Sequence, residues 1–563
     1  MSSRYLTLPS LPSFAEIRTQ LADVPQRIST LAKVAQTSGM MWDLTLPGVR
    51  VLARTLKSGA KNPSQMYRIH AVNAPSKPAV FWRDQTITFG EFDRRLDSVA
   101  ASLTRRGFGR GTSVLLMMKN RPEFLEASSA VARMGGAAVA VSWRSTPSEL
   151  AYLATHCGAR AIVFEAELAH VVEEAKKDLP SVQVYVSAGG KVPWATPFES
   201  LLDGPSAGFH EEEGAADDAA VVIYTSGTTG KPKGAVRKFP KDALPAAMRL
   251  IAETPMRVDD IHLAACPLYH STAFAFVTLS HMLGASAVIL DEFKPEHFLE
   301  AVDRFGVTQT AVVPTMLHRI LALGADTISK YNTRSLRGIF AAGAPLPGPL
   351  ATQVMDQFGD ILYNFYGATE VGLVTVAKPV DLRAAPGTIG PIIPGNEVRL
   401  LDDHGSEVRP GDVGELYVRN KMLVAGYHKD DEATRASMRD GFFSVGDLAR
   451  CDRDGRFFIE GRKRDMIISG GVNVYPAEVE GVLEAHPGVA EVAVVGIEDP
   501  EWGERVRAYV VRRPGHSPGD AELKAWTRER LAGPKVPRDF VFLDTMPRNP
   551  TGKVLKRELR ARA

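Results

Sequence analysis

The run YTSGTTGKPKG, residues 224–234, gathers hydroxyls, glycines and lysines in a way that suits one kind of ligand. Thr225, Ser226, Thr228 and Thr229 offer hydroxyl donors. Gly227 and Gly230 let the backbone approach a ligand closely and turn its N–H groups inward. Lys231 and Lys233 add positive charge. Together these groups make a polyphosphate cradle. The commoner nucleotide loop separates its glycines by four residues and ends in Gly-Lys-Ser/Thr at a helix start. Here two residues separate Gly227 from Gly230, and Pro232 follows Lys231, so the cradle is of a different kind.

Four more stretches offer matching chemistry. In IFAAGAP (339–345), Gly343, Ala344 and Pro345 form a tight platform for a flat base. In YNFYGATE (363–370), Tyr366, beside Gly367, has an aromatic face that can stack on adenine. Thr369 and Glu370 set a hydroxyl beside a carboxylate, a pair that can hold Mg²⁺, an ion that keeps waters and borrows phosphate oxygens. In the stretch 444–480, the Asp447 carboxylate can accept from both ribose hydroxyls, and Arg462 and Gly470-Gly471 follow. PRNPTGKVLKREL (547–559) puts Lys553 on a Gly-flanked turn. Each alone has a plainer reading: Glu370 as a helix cap, Asp447 as a turn residue, Lys553 as part of a solvated basic tail. Their combination and order carry the inference.

Such residues need rigid elements behind them. AAVVIY (219–224) is apolar and β-branched, a buried strand that feeds the cradle. From about residue 79 strands and helices alternate: AVFW and TITF, a helix over 91–107, a strand at 113–118, the helix-like RPEFLEASSAVARMGG, then AAVAVS. A similar stretch runs from 219 to 380, with strands at 261–265, 286–290, 310–313 and 337–340. This alternation predicts parallel sheets wrapped by helices. Residues 386–428 change to short alternating runs among Gly and Pro, the mark of a small antiparallel barrel. After about 464 comes a compact α+β segment, with PAEVEGVLEAH as helix and VAEVAVVGI and RVRAYVVRR as strands. The apolar run 271–290 splits at Gly284 into a buried helix and a strand rather than spanning a membrane.

At 563 residues the chain exceeds a single core, and 45% apolar with 23% charged residues is a globular composition. A formal net charge of +2, with no basic run interleaved with aromatics, gives no nucleic-acid surface. Cys157, Cys266 and Cys451 lie far apart, without zinc or disulfide spacing, which fits a reducing, cytoplasmic compartment. The N-terminus lacks a secretory signal pattern, and the ending RARA is no peroxisomal address. Residues 1–62 read as an N-terminal extension, in part a basic amphipathic helix. There Arg50, Arg54 and Lys57 share one face and Val49, Leu52, Ala53 and Leu56 the other. Docking on its own domain is the preferred reading, and peripheral contact with the inner face of a membrane the other. GPSAG (204–208) fits a serine-nucleophile motif formally, but no strand precedes it, no helix follows, and Pro205 precedes the serine.

In this combination and order the motifs resemble the adenylate-forming superfamily: acyl-CoA synthetases, aryl-CoA ligases, beetle luciferases and peptide-synthetase adenylation domains. The likeness runs from about residue 65 to the end and is greatest to fatty acyl-CoA synthetases. It implies an α/β fold: a large N-terminal domain of two α/β lobes and a small β-barrel (63–463), then a small mobile α+β C-terminal lid (464–563). It implies an AMP-forming acid–thiol ligase using ATP, Mg²⁺ and coenzyme A, with a medium- to long-chain fatty acid as substrate. A homodimer stays compatible with it. The loop 225–233 would hold the β and γ phosphates, with Mg²⁺ at Glu370 and Thr369. Tyr366, Gly367 and the 343–345 turn would hold adenine, and Asp447 and Arg462 the ribose. Lys553 would bridge carboxylate and α-phosphate, then leave by rotation about a hinge at Arg464, bringing Gly470-Gly471 to the pantetheine passage. PLYHSTAF (267–274) would put His270 beside the reacting carboxylate and Phe274 at the gate of an acyl tunnel that 311–321 also lines. Two positions depart from the family pattern: Arg237-Lys238-Phe239 stands where a Ser/Thr-His pair is frequent, and Pro534 replaces a tyrosine. The runner-up is an aryl-CoA ligase. An inactive membrane-associated scaffold is the non-enzyme alternative, and it would predict loss of Lys553, Glu370 or the loop hydroxyls, all of which are present.

Overall fold

The computed structural model describes residues 24–39, 45–58, 64–203, 220–225, 233–238, 243–421, 423, 431–548 and 554–562. The cradle residues 226–232, the GPSAG stretch and Lys553 lie outside them. In chain order the strands begin with β1 (Pro78–Trp82), β2 (Gln85–Thr88), β3 (Ser113–Met117), β4 (Ala137–Ala140), β5 (Ala159–Glu165), β6 (Val184–Ala188), β7 (Thr196–Pro197), β8 (Ala220–Thr225) and β9 (Lys233–Lys238). They continue with β10 (Ile261–Ala264), β11 (Ser286–Ile289), β12 (Gln309–Val312), β13 (Gly338–Ala341), β14 (Leu362–Ala368) and β15 (Gly372–Ala377). Five helices matter below: α1 (Val24–Ser38), α2 (Leu46–Ser58), α3 (Pro122–Arg133), α4 (Ser271–Leu283) and α5 (Pro314–Leu321).

Two sheets form, as the alternation predicts. The first lobe has the order β7-β6-β5-β3-β4-β8-β9, parallel except for the β8–β9 hairpin. The second has the order β15-β14-β13-β12-β10-β11-β1-β2, parallel from β14 to β1 with antiparallel strands at both edges. The two lobes share one core. Val114, Leu116, Phe124 and Ala138 of the first pack in the same cluster as Val80, Ala264, Leu268, Val277 and Ile289 of the second. Each large apolar side chain so buried contributes roughly 1.5–3 kcal/mol, so the lobes are held as one body. The run 271–290 splits as expected: α4 stops at Gly284 and β11 follows. Among the described residues no helix is long and apolar enough to cross a membrane.

The expected barrel region is an antiparallel sheet of β16 (Glu397–Leu401), β17 (Val413–Arg419), β18 (Met438–Arg439), β19 (Phe442–Cys451) and β20 (Phe457–Arg462). Its β20 edge meets the second lobe through a bridge between Gly390 and Phe457. The C-terminal body is a further mixed sheet of β21 (Ile467–Ser469), β22 (Val472–Val474), β23 (Val489–Asp499), β24 (Gly503–Arg512) and β25 (Asp539–Phe542), with its own apolar core.

The N-terminal extension divides in two. Helix α1 docks on the second lobe: Val34 is fully buried beside Ile251 and Met256, and Lys33 pairs with Glu253 at 2.9 Å. Helix α2 packs on the domain, but not through the described part of its apolar face. Gly48 faces the domain instead, its backbone close against Asn73, while Val49 and Ala53 are exposed and Leu46 is 78% exposed. A periodic sequence gives the faces of a helix but not which one a neighbour covers.

Candidate active site

Three of the motifs stand at the carboxyl ends of the second lobe's parallel strands, where open α/β sheets bind ligands. The segment 265–270 follows β10, Val313 follows β12, Gly343 follows β13, and Thr369-Glu370 is the turn after β14. A Cβ placed on Gly343 would lie 3.5 Å from Val313 Cγ1 and 3.8 Å from Thr272 Oγ1. Thus the β13 turn, the start of α4 and the start of α5 converge on one spot. Gly343 and Pro345 are exposed there and Ala344 half-buried, so the platform is open to a ligand. In the first lobe β4 lies beside β8, whose pairing with β9 ends at Thr225 opposite Lys233. The cradle residues lie between those two in the chain.

Gly367 acts sterically. The register of β14 and β15 slips between Tyr366 and Gly367, and a Cβ on Gly367 would sit 2.2 Å from the Gly372 carbonyl oxygen. Only glycine lets the two strands close so tightly, and this turn presents the buried Glu370 carboxylate and half-buried Thr369.

The Tyr366 hydroxyl donates to Asp447 Oδ2 at 2.8 Å, and Arg462 Nε lies 2.7 Å from Asp447 Oδ1. The last pair follows from register, since Asp447 and Arg462 stand opposite each other in β19–β20. Burial, then the Asp447 charge, pushes the Tyr366 phenol well above its usual range. It stays a neutral donor. Each Asp447 oxygen therefore already has one protein partner, and a ribose would share the carboxylate rather than find it bare.

His270 stands at the N-terminus of α4, its ring 4.2 Å from that of Tyr269. Phe274, one turn on, meets Phe124 edge-on at 6.3 Å. Behind it lies a small cavity of about 10 Å³, lined by Leu116, Phe124, Ser128, Ala138, Ala140, Leu268, Tyr269 and Phe274. Residues 311–321 do not line this small cavity: Met316, Leu317 and Ile320 are buried in the second lobe's own core, while Val313 stands against the 343 turn. More than half of the cavity wall comes from the first lobe, which the sequence does not single out.

Arg464 sits in a 3₁₀ turn, Lys463–Asp465, between anchors to two bodies. Lys463 Nζ pairs with Glu415 at 3.0 Å and Asp403 at 2.8 Å, while Asp465 pairs with Arg560 of the last helix at 2.9 Å. Gly470 and Gly471 are the tip of the β21–β22 hairpin, both at positive φ (58° and 77°). This two-residue turn demands such angles, and a Cβ on Gly470 would fall 2.6 Å from Trp502 Cε3. The tip is exposed, flanked by exposed Ile468 and Val472. Arg548 and Val554, on either side of Lys553 in the chain, form an antiparallel bridge. Arg548 pairs with Glu491 at 2.7 Å. Those two residues and Arg513 act electrostatically on His318 of α5, whose pKa burial lowers first of all.

The sequence matches the AMP-binding enzyme family over residues 67–428 and that family's C-terminal domain over 478–553. The chain belongs to the AMP-binding enzyme family. Its class is that of the AMP-forming acid–thiol ligases, which work with ATP, Mg²⁺ and CoA. Relatives include a fatty acid–[acyl-carrier-protein] ligase, ScoC, of Streptomyces coeruleorubidus, 32% identical over 88% of this chain and 96% of its own. A feruloyl-CoA synthase of an Amycolatopsis species is 35% identical over 87% and 96%. Among solved structures, the anthranilate CoA ligase AuaEII with anthranoyl-AMP superposes with a TM-score of 0.83 at 26% identity, covering 89% of this chain and 97% of that one. ATP-bound MatB from Rhodopseudomonas palustris gives 0.80 at 30%, covering 89% and 99%. The donor set suits such ligands: an open turn at 343–345, a carboxylate–guanidinium pair at 447 and 462, and a buried carboxylate at 370 beside a strand end.

Proposed function

We propose that this enzyme activates a medium- to long-chain fatty acid as its acyl-adenylate, releasing pyrophosphate, and then transfers the acyl group to CoA, releasing AMP. The observation that carries the hydrophobic-acid reading is the apolar surround of Phe274, seen in the lining of the small cavity behind it. No charged side chain lines it, and three of its walls are aromatic rings. A second carboxylate or an ammonium group on the substrate would find no partner there, at a cost of several kcal/mol.

The residue roles follow. Residues 225–233 hold the β and γ phosphates. Tyr366 and the 343–345 turn flank adenine, and Asp447, oriented by Tyr366 and Arg462, receives the ribose. Glu370 and Thr369 would hold Mg²⁺, which when bound neutralises phosphate charge. His270 lies against the acid's carboxylate. Lys553 supplies a cation where charge builds on the α-phosphate, then withdraws as the body from 464 onward turns about Arg464.

The test is pyrophosphate release with a panel of acids. Straight-chain acids of medium to long length are expected to give the highest kcat/KM, with dicarboxylic acids at background. A preference for dicarboxylic or amino acids contradicts the proposal. A second reading, an aromatic acid, is supported by the feruloyl-CoA synthase relative; the cavity, at about 10 Å³, holds neither a fatty chain nor an aromatic ring as it stands. Higher kcat/KM for cinnamic- or benzoic-type acids decides for it.

The exposed Leu46 and Val49 of α2, beside the exposed Arg50, support peripheral contact with an anionic membrane. Co-sedimentation with anionic vesicles, reduced by Leu46→Asp/Val49→Asp, is the expected outcome. Equal sedimentation of both proteins contradicts it.

A further inference from the structure

Asn120 lies between β3 and α3, and its side chain is buried in the seam between the lobes. Its Nδ2 donates to the carbonyl oxygens of Cys266 at 2.9 Å and Leu290 at 3.0 Å, with a longer contact to Ala264 at 3.4 Å. Its Oδ1 accepts from the Leu268 N–H at 2.7 Å. Three carbonyls on one side and an N–H on the other fit a single orientation of the amide, so the assignment is fixed by its partners. One first-lobe side chain thus gathers the ends of β10 and β11 and the loop that follows β10 in the second lobe.

The support behind it is rigid. Arg121 makes two 2.9 Å bonds to Glu123 and one of 3.2 Å to Glu165, and the Lys119 N–H donates to Glu165 at 3.0 Å. The Arg121 guanidinium also lies 5.3 Å over the ring of Trp82 in the second lobe. From β3 the first-lobe sheet continues through β4 to β8, whose end leads into the phosphate cradle. On the other side, the clamped segment 264–268 leads directly into Tyr269, His270 and Phe274.

We infer that Asn120 is a positioning residue for adenylation, fixing the acid side of the site relative to the phosphate side. This rests on the function proposed above. The step requires the acid's oxygen to meet the α-phosphorus in a near-attack geometry, and a misplacement of about 1 Å costs on the order of 100-fold. Asn120 ties the loop that leads to His270 to the lobe whose β8 leads into the phosphate cradle, and so helps set that distance.

The test uses the full-length enzyme with whichever acid the wild type adenylates best. Absence of turnover on every hydrophobic acid therefore defeats the proposed function, while the inference about Asn120 is scored on the acid that is accepted. Asn120→Asp keeps size and the acceptor for Leu268 but turns a charged oxygen toward the carbonyls. Asn120→Ser, which keeps a shorter donor and acceptor, serves if the aspartate variant does not fold. Single-turnover acyl-adenylate formation, ATP affinity, thioester formation from supplied acyl-adenylate and thermal midpoint are measured together. Adenylate formation is expected to fall about 10- to 100-fold per folded active site. ATP affinity should stay within about twofold, and thioester formation should fall far less than adenylation. A parallel loss of all three activities, or no change in any, overturns the inference.

Discussion

The carboxylate of Asp447 shows how one register decides a binding group, for the β19–β20 ladder sets Arg462 opposite it. The Tyr366 hydroxyl, from a strand of another sheet, meets the carboxylate at 2.8 Å, with Arg462 on the other oxygen. Tyr366→Phe removes one hydrogen bond to a charged acceptor, a loss of about 1.5–3 kcal/mol. It keeps the ring. The expected outcome is a weaker affinity for ATP, by about tenfold or more, with a small fall in thermal midpoint; an unchanged ATP affinity contradicts the role given to Asp447. Those three residues were legible in the sequence as candidates because they carry unusual chemistry in a recognisable order. Asn120 was not. Its partners are main-chain groups 144 to 170 residues away, and a backbone carbonyl leaves no mark in a sequence.

Among the elements, the strands and helices of both lobes were legible because buried parallel strands need apolar, β-branched runs and the helices between them need a 3.6-residue period. The lining behind Phe274 was not, because α3 and β4 reach it only when one sheet folds across the other. At the proposed hinge, Lys463 is tied to Glu415 and Asp465 to Arg560, which leaves the peptide units around Arg464 as the place for the proposed rotation. Arg464→Pro fixes φ there. Adenylation is expected to survive, whereas thioester formation from supplied acyl-adenylate should fall by about tenfold or more. Equal loss of both halves would place the pivot elsewhere. At the β21–β22 tip, Gly470→Ala brings a methyl into the Trp502 ring and strains φ. A lower thermal midpoint is expected, since this glycine serves the turn whatever it also does for a thiol.

At the scale of the whole molecule, the second lobe is built around histidines that must stay neutral. Burial pushes His262 down to about 3 and His281 down to about 4, from an ordinary value of 6.5. His281 is satisfied as a neutral ring by the Tyr67 hydroxyl at 2.9 Å and the Ala79 carbonyl at 3.1 Å. The unfolded chain therefore binds more protons than the native one between the two pKa values. The stability from these rings is complete above about pH 6.5 and is lost as pH falls toward 4 and 3. Thermal midpoints should decline over that range. Both His262 ring nitrogens lack a hydrogen-bond partner among the described residues, so His262→Leu should flatten the decline at little cost near pH 7. A pH-independent midpoint in the wild type would contradict this. The central claim also belongs to this scale, for it concerns one body of the molecule moving against another. Lys553 is proposed to serve the first half-reaction and to leave before the second. The most direct measurement compares Lys553→Ala with the wild type in the two halves separately. Acyl-adenylate formation from free acid and ATP is expected to be abolished, while thioester formation from supplied acyl-adenylate and CoA remains near the wild-type rate; equal loss of both halves, or retention of both, would contradict it.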